Sequence, residues 1–489
     1  MPSRLNSQCM PQYRLLSPSQ IQELHRATLE VLETVGVRVD HEPARRMLKE
    51  AGSRIKDGDI VQIPGYLVEE AIRSAPSRVT IYDRLGQEAM RLEGRRVYYG
   101  LGTDLLQTYD LESGQLRESC LQDVVNAAIV ADYCQEIDFI ASNGFPHEIH
   151  QNMAFVAEFM AQVENSTKPV YFTAAGRQDL TVIADMAAAV AGGDTQLRQR
   201  PFLIHYAEPL SPLVHSAGAV DKLLLCTDRG IPLNYAPALL AGGTGPVTLA
   251  GAIITANAEA LSGLVMQQLR AKGAPMISGF SVTPMDMRTG STVYGSPDER
   301  LTHSACCDLY HHYSLPVWGE AGCSDSKALD QQAAFESAFS ILMAALDGCN
   351  LVHDIGYLGQ GLIGTPAAIV MGNELISYVR RIMRGFDLGS ERLAVDLIRR
   401  VGPGGNYLAE DETAAFLREE HWITKFSNRD NPDNWILKGS PGYKETVTQK
   451  ALEILQTHKP VPLPDPVAAD LKRIYRKAQN RLKDLDFGV

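Results

Sequence analysis

With 489 residues, 45% of them hydrophobic and 21% charged, the chain can bury a large core and carries no compositional sign of disorder. Its 58 acidic against 46 basic residues give a formal charge of -12, which argues against a broad phosphate-binding surface and so against a nucleic-acid partner. The N-terminal stretch MPSRLNSQCMPQYRLLS has too little apolar length for a signal peptide, and no run of eighteen strongly apolar residues follows, so a soluble cytoplasmic protein is expected.

From Ser17 the sequence SPSQIQELHRATLEVLETVGVRV predicts a capped amphipathic helix, apolar at Ile21, Leu24, Val31, Leu32 and Val35 and stopped at Gly36. A second helix is expected over Glu42 to Ala51 and a third between Pro64 and Pro76, before the strand-like RVTIYDRLGQEAMRLEGRRVYYG. Residues 1–90 therefore read as an N-terminal helical and strand layer. Short apolar segments then return every thirty to forty-three residues: Arg96 to Gly100, Ile137 to Ser142, Pro169 to Thr173, Pro201 to Tyr206, Ile231 to Tyr235, Ala274 to Gly279, Leu315 to Gly319 and Asn350 to Asp354. The intervals hold helical stretches such as Leu121 to Tyr133, Met153 to Asn165 and Leu180 to Ala191. Eight strands with crossover helices predict an α/β fold, a (β/α)8 TIM-like barrel over residues 91–372, with its chemistry at the carboxyl ends of the strands.

Ala250 to Arg270 reads as a long Ala-rich helix suited to packing against a sheet or a partner. The preceding GGTGPVTLAG offers backbone amides to a phosphate or carboxylate, but it lacks the GKS or GKT ending of a phosphate loop, and a tight loop is the favoured reading. Residues 373–489 read as a C-terminal helical extension packed on the barrel, from a helix at Asn373 to Arg384 to a charged helical tail at Asp470 to Leu485.

The strand ends present Tyr98, Tyr99, Asn143, Phe172, Thr173, His205, Tyr206, Asn234, Tyr235, Ser278, Trp318, Glu320, His353 and Asp354. Several aromatics with few cations suit a cage for a quaternary or tertiary ammonium group, because ring faces attract a cation. Each aromatic alone reads better as core; the set reads better as a pocket. His353, in NLVHDIGYLGQG, could donate to a substrate, act as a base or cap neighbouring backbone, and Glu320 could counter a substrate cation or hold another side chain. His303, Cys306, Cys307, His311 and His312 invite a zinc reading, since His303 and Cys307, like Cys307 and His311, share a helix face. Core and helix-surface roles are favoured there, because a catalytic zinc in a barrel is fed from several strand ends. The eight cysteines lack the close regular pairs of a zinc ribbon or iron-sulfur site and are expected as reduced thiols.

The stretches TLEVLETVGVRVDHEPARRMLKEAG, VQIPGYLVEEAIRSAPSRVTIYDR, GRRVYYGLGTDLLQTYDLESG, ENSTKPVYFTA, LAGGTGPVTLAGAIITANAEALSGLV, AGCSDSKALDQQAAFES and NLVHDIGYLGQG with VRRIMRGFDL resemble the trimethylamine methyltransferase superfamily, corrinoid-dependent methyltransferases, over most of residues 17–410. Members named for trimethylamine carry pyrrolysine, whereas the AGCSDSKALDQQ region here holds ordinary amino acids, which points to the non-pyrrolysine branch that uses betaines. The resemblance implies a barrel mouth that docks a small corrinoid protein, with cobalamin arriving on that partner and neither a metal nor a tightly bound cofactor on this chain.

Within that resemblance the expected catalytic residues are His353, Tyr99 and Glu320, and the expected substrate-binding residues are Tyr98, Phe172, His205, Tyr206, Trp318 and Tyr357. The expected reaction moves a methyl group from a quaternary amine, foremost glycine betaine, to cobalt(I) of the partner. A quaternary nitrogen leaves as a neutral amine and needs no proton, so alignment matters most. Proline betaine, carnitine, γ-butyrobetaine or a tertiary methylamine are the alternative donors, the last requiring an acid such as His353 or Glu320. A betaine-binding protein without transfer activity is the alternative outside enzymology. Long apolar helices and terminal extensions also predict a homo-oligomer.

Overall fold

Ser17 caps the first helix, Pro18–Thr34: its hydroxyl accepts from the Gln20 amide (3.4 Å) while the Gln20 side chain accepts from the Ser17 amide (2.8 Å), closing a capping box. Gly36 ends it at φ +83°, where a Cβ would lie 2.6 Å from the Val61 carbonyl oxygen. The computed structural model describes residues 8–482. The first seven residues of the stretch read for a leader, and the last three of the expected tail helix, lie outside the described residues.

Helices Glu42–Glu50 and Gly65–Ser74 follow, then the antiparallel pair Val79–Tyr82 and Glu88–Leu92. The strands Val37–Val39, Arg54–Lys56 and Ile60–Gln62 were not expected, because three residues are too few to establish an alternation. Val37–Val39 pairs in parallel with Val214–His215, which ties this layer to the rest of the chain. The helix Leu249–Arg270 does the same by packing against Pro18–Thr34 and Gly65–Ser74. By length and mean composition it could cross a membrane, although Asn257, Glu259 and Gln267 interrupt its apolar run, as expected; 72% of that window is buried inside the fold, where its apolar faces serve as core. Before it, the amides of Gly243 and Thr244 donate to the Leu240 carbonyl (2.9 and 2.8 Å) and that of Gly242 to Gly245 (3.1 Å), so these groups of the GGTGPVTLAG stretch are used by a tight loop.

Seven of the eight recurring apolar segments form strands. Val170–Phe172, Leu203–Ala207, Leu233–Tyr235 and Met276–Ile277 make one parallel sheet in that order, and Trp318–Glu320, Leu351–Ile355 and Tyr98–Leu101 make another. The eighth segment, 137–142, joins through the single bridges Gly100↔Phe139 and Ile140↔Val170, and Ser278↔Val317 links the two sheets elsewhere. The architecture is thus a mixed α/β fold of several small sheets and many helices, in which, among the described residues, no continuous ladder closes into a clean barrel. Side chains displace ladder bonds at residues 137–142: the Asp138 carboxylate accepts the Tyr99 amide (2.7 Å), and half-buried Lys168 Nζ donates to the carbonyls of Ala131, Cys134 and Ile137 (2.6 Å each).

Helices Leu121–Tyr133, Gln151–Asn165 and Arg177–Ala191 lie where helices were expected. The C-terminal helix starts at Pro366 rather than Asn373, with proline in its first turn, and runs unbroken across residue 372 to Arg384. Helices Tyr443–Thr457 and Asp465–Leu482 bury Val447, Ala451, Ile454, Leu471, Ala478 and Leu482 in the same apolar core as Ile21 and Leu32.

Asn350 pins the start of Leu351–Ile355. Its Oδ1 accepts the Val317 amide (2.9 Å), and its Nδ2 donates to the carbonyls of Gly94 (3.0 Å) and Arg96 (2.9 Å). Asn350→Ala strips the buried Val317 amide and the carbonyls of Gly94 and Arg96 of their partner and is expected to lower unfolding free energy by about 2 kcal/mol in urea titrations. A loss below about 0.5 kcal/mol would show that this side chain does not hold the strand.

Candidate functional site

Successive side chains of a strand point to opposite faces. In Val170–Phe172 and Leu203–Ala207 that period brings Tyr171 and Tyr206 together, stacked at 5.6 Å between centroids. Tyr206 stacks in turn on Trp318 (5.8 Å), and His353 stands edge-on to Tyr171 (5.3 Å), Tyr206 (6.0 Å) and Trp318 (5.0 Å). Glu320 and His353 are register partners on neighbouring strands. Tyr206, Trp318, Glu320 and His353 therefore form one group, to which the structure adds Tyr171.

Four expected residues lie elsewhere: Tyr99, Phe172 and His205 because adjacent residues such as Tyr171 and Phe172 cannot share a face, and Tyr98 because it sits further back along its strand. Tyr98 pairs with Leu351, two residues before His353, and its hydroxyl accepts the Arg91 amide of the N-terminal layer (3.1 Å). Tyr99 turns to the helices: its hydroxyl donates to the Ile341 carbonyl (3.1 Å), Arg380 lies 5.8 Å over its ring, and burial pushes its phenol up. Phe172 packs edge-on to Phe159 (5.6 Å) and against His205 (4.9 Å). His205 Nδ1 sits 3.2 Å from the Phe172 carbonyl, and burial holds the imidazole neutral, its pKa well below the usual value. Tyr357 borders the site on a separate loop; its hydroxyl donates to the Thr103 carbonyl, and its ring lies 2.2 Å from where a Gly102 Cβ would stand.

The site is rich in carboxylates. Burial, with repulsion from Asp354, raises the Glu320 pKa to about 7, and the Ser281 hydroxyl donates to that carboxylate. His353 Nδ1 lies 2.9 Å from Asp354 Oδ1. Burial opposes charge on the imidazole, yet Asp354 and Glu320 hold its pKa above the ordinary value. Asp354 adopts φ +81°, a left-handed backbone that non-glycine residues rarely hold. The Tyr206 hydroxyl donates to exposed Glu208 (2.8 Å), and the Thr173 hydroxyl donates to Asp104 Oδ2 (2.9 Å), whose backbone is also left-handed (φ +62°). Glu158 is driven toward its protonated form by burial and by the charge of Asp104.

Tyr171, Asp104 and Glu208 were missed from the sequence. Counting in twos from Tyr206 along the strand finds Glu208, and carrying that face to the neighbouring strand finds Tyr171; Asp104, in a loop, has no such signal.

Glu320, His353 and Asp354 each offer a donor atom within 4.8 Å of the others, a set able to hold a metal ion, and so do His303, Cys307 and Cys349. His311, paired with Cys307 in the zinc reading, is not part of that set; its Nε2 lies 3.1 Å from the Gly348 carbonyl. A broad cleft of about 770 Å³, lined by Asp132, Cys134, Asn373, Lys425 and His458 among others, shares no residue with the aromatic group.

Three aromatic rings, an imidazole and two buried carboxylates are thus brought together at one place. Residues 3–481 match the family described as trimethylamine methyltransferase (MTTB). A trimethylamine methyltransferase of Desulfitobacterium hafniense is 33% identical over 95% of this chain and 94% of that relative; a glycine betaine methyltransferase of strain Y51 is 28% identical over 95% and 97%. The crystal structure of the Methanosarcina barkeri monomethylamine methyltransferase superposes with a TM-score of 0.55 at 12% identity, covering 98% of this chain and 89% of that one, a likeness of fold. The chain belongs to the trimethylamine methyltransferase family and is a methyltransferase by that membership. These matches do not single out the betaine-using branch.

Proposed function

We propose that this chain moves a methyl group from a small methylated ammonium ion to the cobalt of a corrinoid carried by a partner protein. The observation that carries the reading is the convergence of Tyr171, Tyr206 and Trp318 around His353 with Glu320 and Asp354 alongside. The three single bridges support an eight-stranded barrel assembled from the two parallel sheets and residues 137–142, with this group toward the carboxyl ends of its strands.

When docked, the corrinoid supplies a cobalt(I) nucleophile that takes the methyl group. The chain's own residues hold and aim the donor. Ring faces receive the methylated nitrogen and exclude water, and fixing one methyl toward the mouth makes the transfer in-line. Ionised Glu320, alongside Asp354 and His353, supplies the negative charge that one ammonium ion would meet. Exposed apolar side chains on loops that leave the strands, Leu106, Leu210, Val247, Met287 and Leu362, fit the docking of a partner there.

A donor with its own carboxylate would meet Glu320, Asp354 and Glu208, so trimethylammonium is favoured over glycine betaine, in line with the trimethylamine relative. With a tertiary donor, a carboxylate must keep the N–H proton on nitrogen so that dimethylamine leaves neutral. A quaternary donor is the second reading, favoured by the ordinary residues throughout AGCSDSKALDQQ and by the glycine betaine relative.

The pH profile separates the two. The Glu320 pKa of about 7 puts the cation-binding form above neutrality, so kcat/KM should rise through pH 7 for either donor. A quaternary donor should then hold a plateau, and a tertiary one should fall again near pH ~10, where ordinary amines lose their proton. Glu320→Gln should abolish the rise; a flat wild-type profile from about pH 5.5 to 8.5 would remove Glu320 from donor binding.

A further inference from the structure

Behind the strands that carry Trp318, Glu320 and His353 lies a second group of donors that the methyl-transfer reading does not use. His303 and Cys307 sit one turn apart on the helix Pro297–Tyr313. Cys349 arrives from the turn at Gly348 (φ +73°), between the helix Gln331–Asp347 and the strand Leu351–Ile355. One donor atom from each lies within 4.8 Å of the others, and the residues are 5%, 1% and 0% exposed.

The imidazole supplies the second observation. Both ring nitrogens of His303 are buried without a hydrogen-bond partner, and Nδ1 stands 3.6 Å from Asp347 Oδ2. Asp347 is itself oriented by the Ser304 hydroxyl (2.9 Å). A buried imidazole with neither nitrogen satisfied calls for a ligand. The ring also takes space from its neighbour: a Cβ on Gly319 would lie 1.8 Å from His303 Nε2. A hydrophobic side chain would fill such a place without leaving polar atoms stranded.

We propose that His303, Cys307 and Cys349 bind one thiophilic divalent cation, with Zn²⁺ the expected ion. Two thiolates and an imidazole are soft and borderline donors that select zinc over calcium or magnesium. Asp347 is the oxygen donor at hand for the fourth position or for orienting the imidazole. Binding releases the two thiol protons to solvent, so Zn²⁺ held by two thiolates adds no net charge to the buried site. The sequence separates Cys349 from the other two by a helix and a strand, so no spacing motif announces the set. The ion would clamp the helix Pro297–Tyr313 to the start of the strand bearing His353, a structural role independent of the methyl donor.

The test is metal analysis of the purified full-length chain, with Cys307→Ser, Cys349→Ser and the milder His303→Gln alongside. About one zinc per chain is expected in the unaltered protein, falling below about 0.1 in the cysteine variants. Should those variants fail to fold, the unaltered protein still decides: titrating its thiols with a mercurial should release zinc in step with modification, and refolding in Co²⁺ should give the near-ultraviolet band of thiolate-bound cobalt. Unaltered protein holding less than about 0.1 zinc and giving no such band after refolding in Co²⁺ would overturn the proposal. So would folded cysteine variants that keep the full complement of zinc.

Discussion

His353→Gln is expected to lower kcat/KM for the methyl donor by about 10²-fold or more while leaving the circular dichroism spectrum unchanged. His353 is the basic group among Glu320, Asp354 and the three rings, and its imidazolium separates two carboxylates that would otherwise repel each other. Glutamine keeps much of the size and a hydrogen-bond donor but removes the charge. Coulomb repulsion from Asp354, already acting on Glu320, is then unopposed, and the Glu320 pKa climbs beyond about 7. At neutral pH the variant therefore holds Glu320 protonated and loses the Glu320 carboxylate that receives the cation. Two readings follow from one experiment: a depressed rate at pH 7, and a midpoint of the rising limb displaced upward. A variant within about threefold of the parent at pH 7 would show that His353 neither holds the donor nor tunes Glu320.

Tyr206→Leu and Trp318→Leu should each raise KM by about 30-fold, the equivalent of a desolvated cation–π contact of about 2 kcal/mol. Both rings stack on each other and face His353, so each offers a π face that leucine lacks. Trp318 is fully buried, and truncating it also costs stability, about 3–5 kcal/mol for the alanine change. Trp318→Phe is the control: it restores a ring with less volume and should recover most of the affinity. Competitive inhibition by tetramethylammonium should weaken in parallel with KM, because it tests the cage without chemistry. Unchanged KM in both leucine variants would return these rings to the core.

The first helix, its capping box at Ser17 and Gln20 and its stop at Gly36 were legible because each rests on residues within one or two turns. The recurring apolar segments were legible too, since buried parallel strands read as short apolar runs between helices. Closure was not, because it depends on Asp138 and Lys168 taking backbone groups that a ladder would have used. For the site, Tyr206, Trp318, Glu320 and His353 were read from strand ends and are found together. Tyr99, Phe172 and His205 were read from the same runs, but a fully buried strand is apolar on both faces and hides which side chains look inward. Only the register, Phe172 opposite His205 and Glu320 opposite His353, separates the two faces. Cys349 joining His303 and Cys307 is a tertiary fact that no local spacing carries.

The most direct measurement follows the visible absorption of a reduced corrinoid protein mixed with this enzyme and, separately, trimethylamine, tetramethylammonium, glycine betaine, proline betaine and carnitine. Enzyme-dependent loss of the cobalt(I) absorption, fastest with a donor that lacks a carboxylate, is the expected result. No loss with any donor, using a corrinoid protein that accepts methyl groups from another enzyme, would contradict methyl transfer by this chain.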